Sequence, residues 1–392
     1  MGLGVAGVIW YLLRTKTEKV PSVKKAVNGG RMPFWQTIVH VVLQIFIVGS
    51  GASIGREVAP RELGAMLAQR FCDIFHIGDG EGDAHGVLAG AGLGGVYNAP
   101  LAGMFFAVEI LLVDVTLEKV AFGLGMSATA AFVATAIKGE HMFYDIGAMQ
   151  MNSTPSLMLF ALLCGTACGV VGALFRKGSQ WAESHKPTGR SLMWQMPIAG
   201  LVTGLVSIVV PQVMGNGRAA AQLGFSTFIP ETADTSDAAQ SAASAAASPW
   251  TFLAGSDGAP GSVVNAGTPL ELNRLWMLLG VLALTFVAKA LVTLMTIRSG
   301  ASGGVLQPGI ALGSTLGTML GLLWLFVFPV DSVTACALIG AAALLSASQQ
   351  APLMAMCLVM ELTEAPFEFF VPVGMAVAAS AFVSSGLLHR LG

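Results

Sequence analysis

Ser50-Gly51-Ala52-Ser53-Ile54-Gly55 recurs 249 residues later as Ser299-Gly300-Ala301-Ser302-Gly303-Gly304. Further along, Ala99-Pro100-Leu101 with Met104 and Glu109 recurs as Ala351-Pro352-Leu353 with Met356 and Glu361, at an offset of 252. The two matches keep their order and nearly their spacing, so the chain reads as two related halves. The predicted division is a first membrane repeat over 1–213, a polar Ala/Ser-rich connector over 214–271 and a second membrane repeat over 272–392.

The sequence around these motifs belongs in a membrane. Of 392 residues, 54% are hydrophobic and 11% are charged, against roughly 25% charged in soluble domains. So few ionic groups cannot cover a soluble enzyme of this length. The net charge of −2 gives no basic balance for nucleic acid. The 48 glycines suit close helix contacts in lipid. Apolar segments lie near 2–13, 34–50, 63–75, 86–113, 119–137, 156–175, 192–213, 272–297, 304–329, 332–348 and 351–388. A straight span needs about 20 apolar residues, and several of these segments are shorter or broken by glycine, proline or a charge. Without ten-residue alternation a barrel is excluded, so the fold class is an all-α polytopic membrane protein with short, tilted and discontinuous helices. The six basic residues between Arg14 and Arg31, against the single acid Glu18, place the 14–31 loop in the cytoplasm of a multi-pass cell-membrane protein. The stretch from Ala219 to Asn273 has no lysine or arginine and belongs on the opposite face, which agrees with inverted repeats.

A glycine-serine turn leading into a helix presents unpaired N–H groups and the positive end of the helix dipole, a natural anion site. In the second copy the expected donors are the amides of Gly304, Val305 and Leu306. In the first copy, Gly55 and Arg56 flank the matching position, which carries Glu57. A carboxylate there can occupy the anion site itself, blocking it as Glu⁻ and vacating it as the neutral acid. Glu57 is therefore the candidate gate and proton carrier. The competing role is a helix-terminal acid paired with Arg56 or Arg61.

These residues resemble a known family. Gly55-Arg56-Glu57-Val58-Ala59-Pro60 is similar to the GREGP signature of the CLC chloride channels and transporters, although its proline comes one residue later. Tyr97-Asn98-Ala99-Pro100-Leu101-Ala102-Gly103 resembles the family's FNAPLAG segment. Ser299 to Pro308 resembles SGAPGGIFAP, and Gln350-Ala351-Pro352-Leu353 through Glu361-Leu362-Thr363 resembles RAPL…LEMT. The resemblance implies a CLC-like inverted repeat that carries chloride or a similar monovalent anion, as a channel or as a proton/anion antiporter. It also implies a homodimer in the bilayer with one pathway per subunit, Glu57 as gate, and backbone anion contacts at Val305 and Leu306. Four departures accompany it. The family's GSGIP turn aligns with Thr17-Glu18-Lys19-Val20-Pro21, so its serine is lost. The tyrosine of the family's terminal helix has no counterpart among Tyr11, Tyr97 and Tyr144, and helices expected at both ends are lacking. Where proton-coupled members carry an acid after the position of Glu109, this chain has Ile110.

Glu109 and Glu361 read as acids at helix ends, bonded to backbone or to a cation rather than to an ion. Gly309, Gly313, Gly317 and Gly321 form a smooth helix face for packing. No metal or cofactor motif is present. Two other readings are a degenerate, non-transporting membrane subunit and an intramembrane serine hydrolase using Ser50 or Ser53 with His40.

Overall fold

Glycine and proline set where the helices of this chain turn. The computed structural model describes residues 2–76, 81–139, 142–146, 154–226, 272–328 and 331–391. They form α1 (Gly2–Lys16), α2 (Val23–Val27), α3 (Phe34–Gly49), α4 (Val58–Phe75), α5 (Glu81–Tyr97), α6 (Pro100–Phe105), α7 (Leu117–Lys138), α8 (Pro155–Ser184), α9 (Leu192–Val209) and α10 (Arg218–Ser226). After the connector come α11 (Leu272–Arg298), α12 (Leu306–Trp324), α13 (Val333–Gln349), α14 (Pro352–Thr363) and α15 (Phe370–Leu391). The described residues form no strand beyond a single bridged pair, Gly55 with Gly304.

The duplication appears as matching backbone. The pair α3–α4 folds around the first SGASxG turn and α11–α12 around the second, with Gly51 at φ +99° and Gly300 at φ +101°. Only glycine takes that left-handed geometry cheaply. Between α5 and α6 the chain breaks at Asn98 (φ +53°), and between α13 and α14 it breaks at Gln350 (φ +58°). Ala99 (φ −130°, ψ 76°) and Ala351 (φ −138°, ψ 83°) then cap the next helix, whose first residue is proline in both copies. Proline lacks an N–H and its φ is fixed, so it starts a helix without loss.

Among the described residues, six helical stretches are long and apolar enough to cross a membrane, those that contain all or most of α7, α8, α9, α11, α12 and α15. Their outer faces are greasy: Phe132 and Ile137 on α7 and Phe382 on α15 are about four-fifths exposed. The centre is α13, buried from Val333 to Ser348. It meets α12 through the glycine face. A Cβ on Gly313 would lie 2.4 Å from the Gly340 carbonyl oxygen, and one on Gly317 would lie 2.4 Å from that of Cys336. The face is for packing, as expected.

Two expected boundaries move. The apolar segments 86–113 and 351–388 are each divided, at Asn98 and around Glu364, by residues in the left-handed region. Within the expected 214–271 connector, Arg218–Ser226 is a helix that buries Ala220, Ala221 and Phe225. Its Gly224 lies against Ser314 and Thr318 of α12. This helix is too short and too mixed in composition to show as an apolar segment. The Ala/Ser-rich stretch itself, 227–271, lies outside the described residues.

Candidate functional site

The two SGASxG turns meet at their last residues. Gly55 N–H donates to the Gly304 carbonyl and Gly304 N–H donates to the Gly55 carbonyl, each at 2.8 Å. Two residues beyond each bridge partner stand Glu57 and Leu306, and they too are in contact. Leu306 N–H, at the start of α12, donates to Glu57 Oε1 at 2.6 Å, and Gln307 N–H also faces this carboxylate. The first-repeat acid thus sits on the helix terminus of the second repeat, where unpaired amides and the dipole favour negative charge. Glu57 is fully buried, and its Oε2 has no hydrogen-bond partner.

The seat is cut to the carboxylate. A Cβ on Gly55 would lie 2.0 Å from Glu57 Oε2, and one on Gly304 would lie 2.2 Å from Oε1. Any side chain at either glycine would occupy the carboxylate's place. The bridge also changes the expected donor set. The Gly55 and Gly304 amides donate to each other's carbonyls, and the amides that face the Glu57 carboxylate are those of Leu306 and Gln307. Val305 precedes α12 as its N-cap. Arg56 is exposed. Arg61 Nε donates to the main-chain oxygen of Glu57 at 2.7 Å, and its guanidinium stacks over Phe106 at 4.7 Å.

Donors crowd this buried space. Tyr144 O–H donates to Gln307 Oε1 at 2.5 Å, while Gln307 Nε2 has no partner. The Tyr97 hydroxyl, also buried, faces Gln307 and Glu57. Behind the first turn lies Lys289, a buried lysine within α11. Its Nζ donates to Ser53 Oγ (3.0 Å), to the Val213 carbonyl (3.0 Å) and to the Gly215 carbonyl (2.9 Å). All three acceptors are neutral. In the sequence, Tyr97 and Tyr144 do not match the family's terminal tyrosine, and nothing assigns a role to Gln307 or Lys289. Tyr97 and Gln307 sit inside the repeated motifs, where they look like ordinary motif variation. Lys289 did give a signal, a cation in the middle of a long apolar helix whose other cations, Arg274 and Arg298, stand near its ends.

Glu109 and Glu361 form a second reciprocal contact. Glu109 accepts from Leu353 N–H (3.1 Å) and Met354 N–H (2.8 Å) at the start of α14. Glu361 accepts from Leu101 N–H (2.9 Å) and Ala102 N–H (2.8 Å) at the start of α6. Each acid caps the other half's helix rather than the end of its own, a use of orphan amides that spacing along one helix could not reveal. The hydrolase reading has no geometry behind it. Ser50 Oγ donates to the Ile47 carbonyl, Ser53 Oγ meets Thr293 and Lys289, and His40 meets Glu62 and Gln44.

Comparison with known proteins agrees with this arrangement. Two curated relatives, H(+)/Cl(-) exchange transporter ClcA of Yersinia pestis bv. Antiqua (strain Angola) and of Yersinia pseudotuberculosis serotype O:3 (strain YPIII), are each 26% identical over 362 residues. The match takes in 88% of this chain but only 65% of each relative's length. Among solved structures, a slow cyanobacterial Cl-/H+ antiporter superposes with TM-score 0.74 at 19% identity, covering 100% of this chain and 86% of that one. A CLC-type fluoride/proton antiporter gives 0.64 at 18% identity, covering 96% and 79%. These structural likenesses speak for the fold. The family described as voltage gated chloride channel matches residues 2–385. A match spanning nearly the whole chain, over paired turns and crossed helix caps, establishes that this chain belongs to the voltage gated chloride channel (CLC) family.

Proposed function

We propose that the protein moves chloride, or a similar small monovalent anion, across a cell membrane in exchange for protons. Glu57 is the gate and carries the proton. The observation behind this reading is the seat of its carboxylate, fully buried on the Leu306 amide with its second oxygen unpartnered. A carboxylate held by helix-terminal amides occupies what an anion would use. Protonation removes the charge that those amides favour, so the neutral acid leaves and an anion takes its place. The names of the curated relatives support exchange over passive conduction. We further propose a homodimer with one pathway in each subunit, with the basic 14–31 loop in the cytoplasm.

The test is chloride efflux from proteoliposomes with simultaneous recording of external pH. Efflux from the unaltered protein moves protons in the opposite direction. Glu57→Ala keeps anion efflux and abolishes proton movement. Proton-coupled efflux that persists in Glu57→Ala would refute the assignment of the gate, and no efflux of any anion from the unaltered protein would refute transport itself.

A further inference from the structure

Exchange requires a second place that holds a proton, between Glu57 and the solution on the far side. The position after Glu109, where the resemblance expects an acid, holds Ile110, which has nothing to titrate. A different pair lies on α3 and α4. Glu62 and His40 are both buried, 5% and 8% exposed. His40 Nδ1 lies 2.8 Å from Glu62 Oε2. Gln44 Nε2 donates to that same oxygen at 2.6 Å and lies 2.9 Å from His40 Nδ1. A ring nitrogen and a carboxylate oxygen at this distance, away from water, must have a proton between them; otherwise two lone pairs would face each other.

The pair is also placed to receive protons. His40 forms part of the wall of a cavity of about 390 Å³ lined by Tyr11, Arg14, Lys19, Lys186 and Thr188 as well. Its wall mixes these polar groups with Leu13, Val20, Pro187 and Leu192, and it has room for several waters. It adjoins Arg14 and Lys19, the start of the basic loop. Charged groups approach Glu62 from every side: Arg14 from α1, Arg61 from α4 and Lys186 from the segment between α8 and α9. Lys186 itself is paired with Glu183. Arg14 is held in place, since its guanidinium donates to Ser302 Oγ of the second turn at 2.9 Å and stacks on Trp10. Trp10 in turn packs against the His40 ring.

Resting on the exchange reading above, we propose that the His40–Glu62 pair is the proton-loading site on the basic side of the protein. A hydronium in the cavity gives its proton to the imidazole. The imidazolium passes its Nδ1 proton to Glu62 Oε2, which leaves the imidazole neutral; once Glu62 has handed that proton on, the ring turns and takes the next proton from the cavity on its bare nitrogen. From Glu62 the proton moves towards Glu57, five residues back on the same helix or about 7.5 Å of rise. There the unpartnered Oε2 accepts it and the carboxylate is discharged.

The experiment uses the full chain in proteoliposomes, with chloride and proton flux recorded together for Glu62→Gln and His40→Gln. Both variants are expected to keep anion efflux within about threefold of the parent while proton flux falls at least tenfold, so the anion-to-proton ratio rises by the same factor. A parental ratio in both variants would overturn the proposal. So would loss of both fluxes in both variants, because a merely structural pair predicts that result. Failure of the exchange reading is seen separately, as an unaltered protein whose chloride efflux moves no protons; the loading site then falls with it.

Discussion

Gly304→Ala tests the seat of Glu57 by filling it. The new methyl carbon would stand 2.2 Å from Glu57 Oε1, 2.5 Å from Cδ and 2.8 Å from Cγ. Nonbonded carbons rest at about 3.5 Å or more, so the overlap with Cδ is roughly 1 Å. The three nearest atoms all belong to Glu57, and a side chain that can rotate will yield before the bridged backbone does. Rotation breaks the bond from Leu306 N–H to Oε1. A hydrogen bond to a charged group contributes about 1.5–3 kcal/mol, which shifts the seated-to-displaced ratio by roughly ten- to 150-fold. Chloride efflux from proteoliposomes at neutral pH should therefore rise by at least tenfold and lose most of its dependence on acidification. A double variant with Glu57→Ala should be no faster than Glu57→Ala alone, since the alanine acts only through the carboxylate. Efflux at or below the parental rate with its pH dependence intact would refute the reasoning. So would additive effects in the double variant.

Two further predictions concern groups outside the seat. Glu361→Gln turns an amide N–H₂ towards the Leu101 and Ala102 amides, which should cost about 1–3 kcal/mol and lower Tm in detergent by a few degrees. Anion flux should stay near parental; unchanged Tm with lost flux would make Glu361 an ion ligand instead of a helix cap. Lys289→Met removes the buried cation behind the first turn. A unit charge over about 10 Å at an effective dielectric near 20 is worth on the order of 1–2 kcal/mol. Anion flux should therefore fall about tenfold, even in the Glu57→Ala background, and unchanged flux there would show the lysine to be only a brace for the Val213 and Gly215 carbonyls.

Much of this architecture was legible in one dimension, for identifiable reasons. The doubled SGASxG and APL motifs mark places where the backbone must take left-handed or helix-starting geometry, and such demands restrict residue type wherever the chain goes. Gly51 and Gly300 are glycines because their φ is near +100°. The glycine face of α12 was legible because its four-residue spacing puts small residues on one side whatever lies opposite. Glu57 stood out because an acid between apolar segments is costly unless something receives it. The short helix over Arg218–Ser226 was missed because its burial comes from contact with α12 rather than from its own hydrophobicity.

By itself the sequence determined an all-helical membrane chain, its internal duplication, and the acid at the turn. Those follow from hydropathy, backbone preference and the cost of charge in lipid, all local properties. Only the tertiary structure decided what each element of one half meets in the other. The Gly55 and Gly304 amides donate to each other's carbonyls, and Leu306 rather than Gly304 receives Glu57. Glu109 and Glu361 cap helices some 250 residues away. Tyr144 reaches Gln307, and His40 Nδ1 comes within 2.8 Å of Glu62 Oε2 beside a cavity. Hydrogen bonds act over about 3 Å, and which groups come within that distance depends on how two halves of a chain pack, a fact that no local pattern contains.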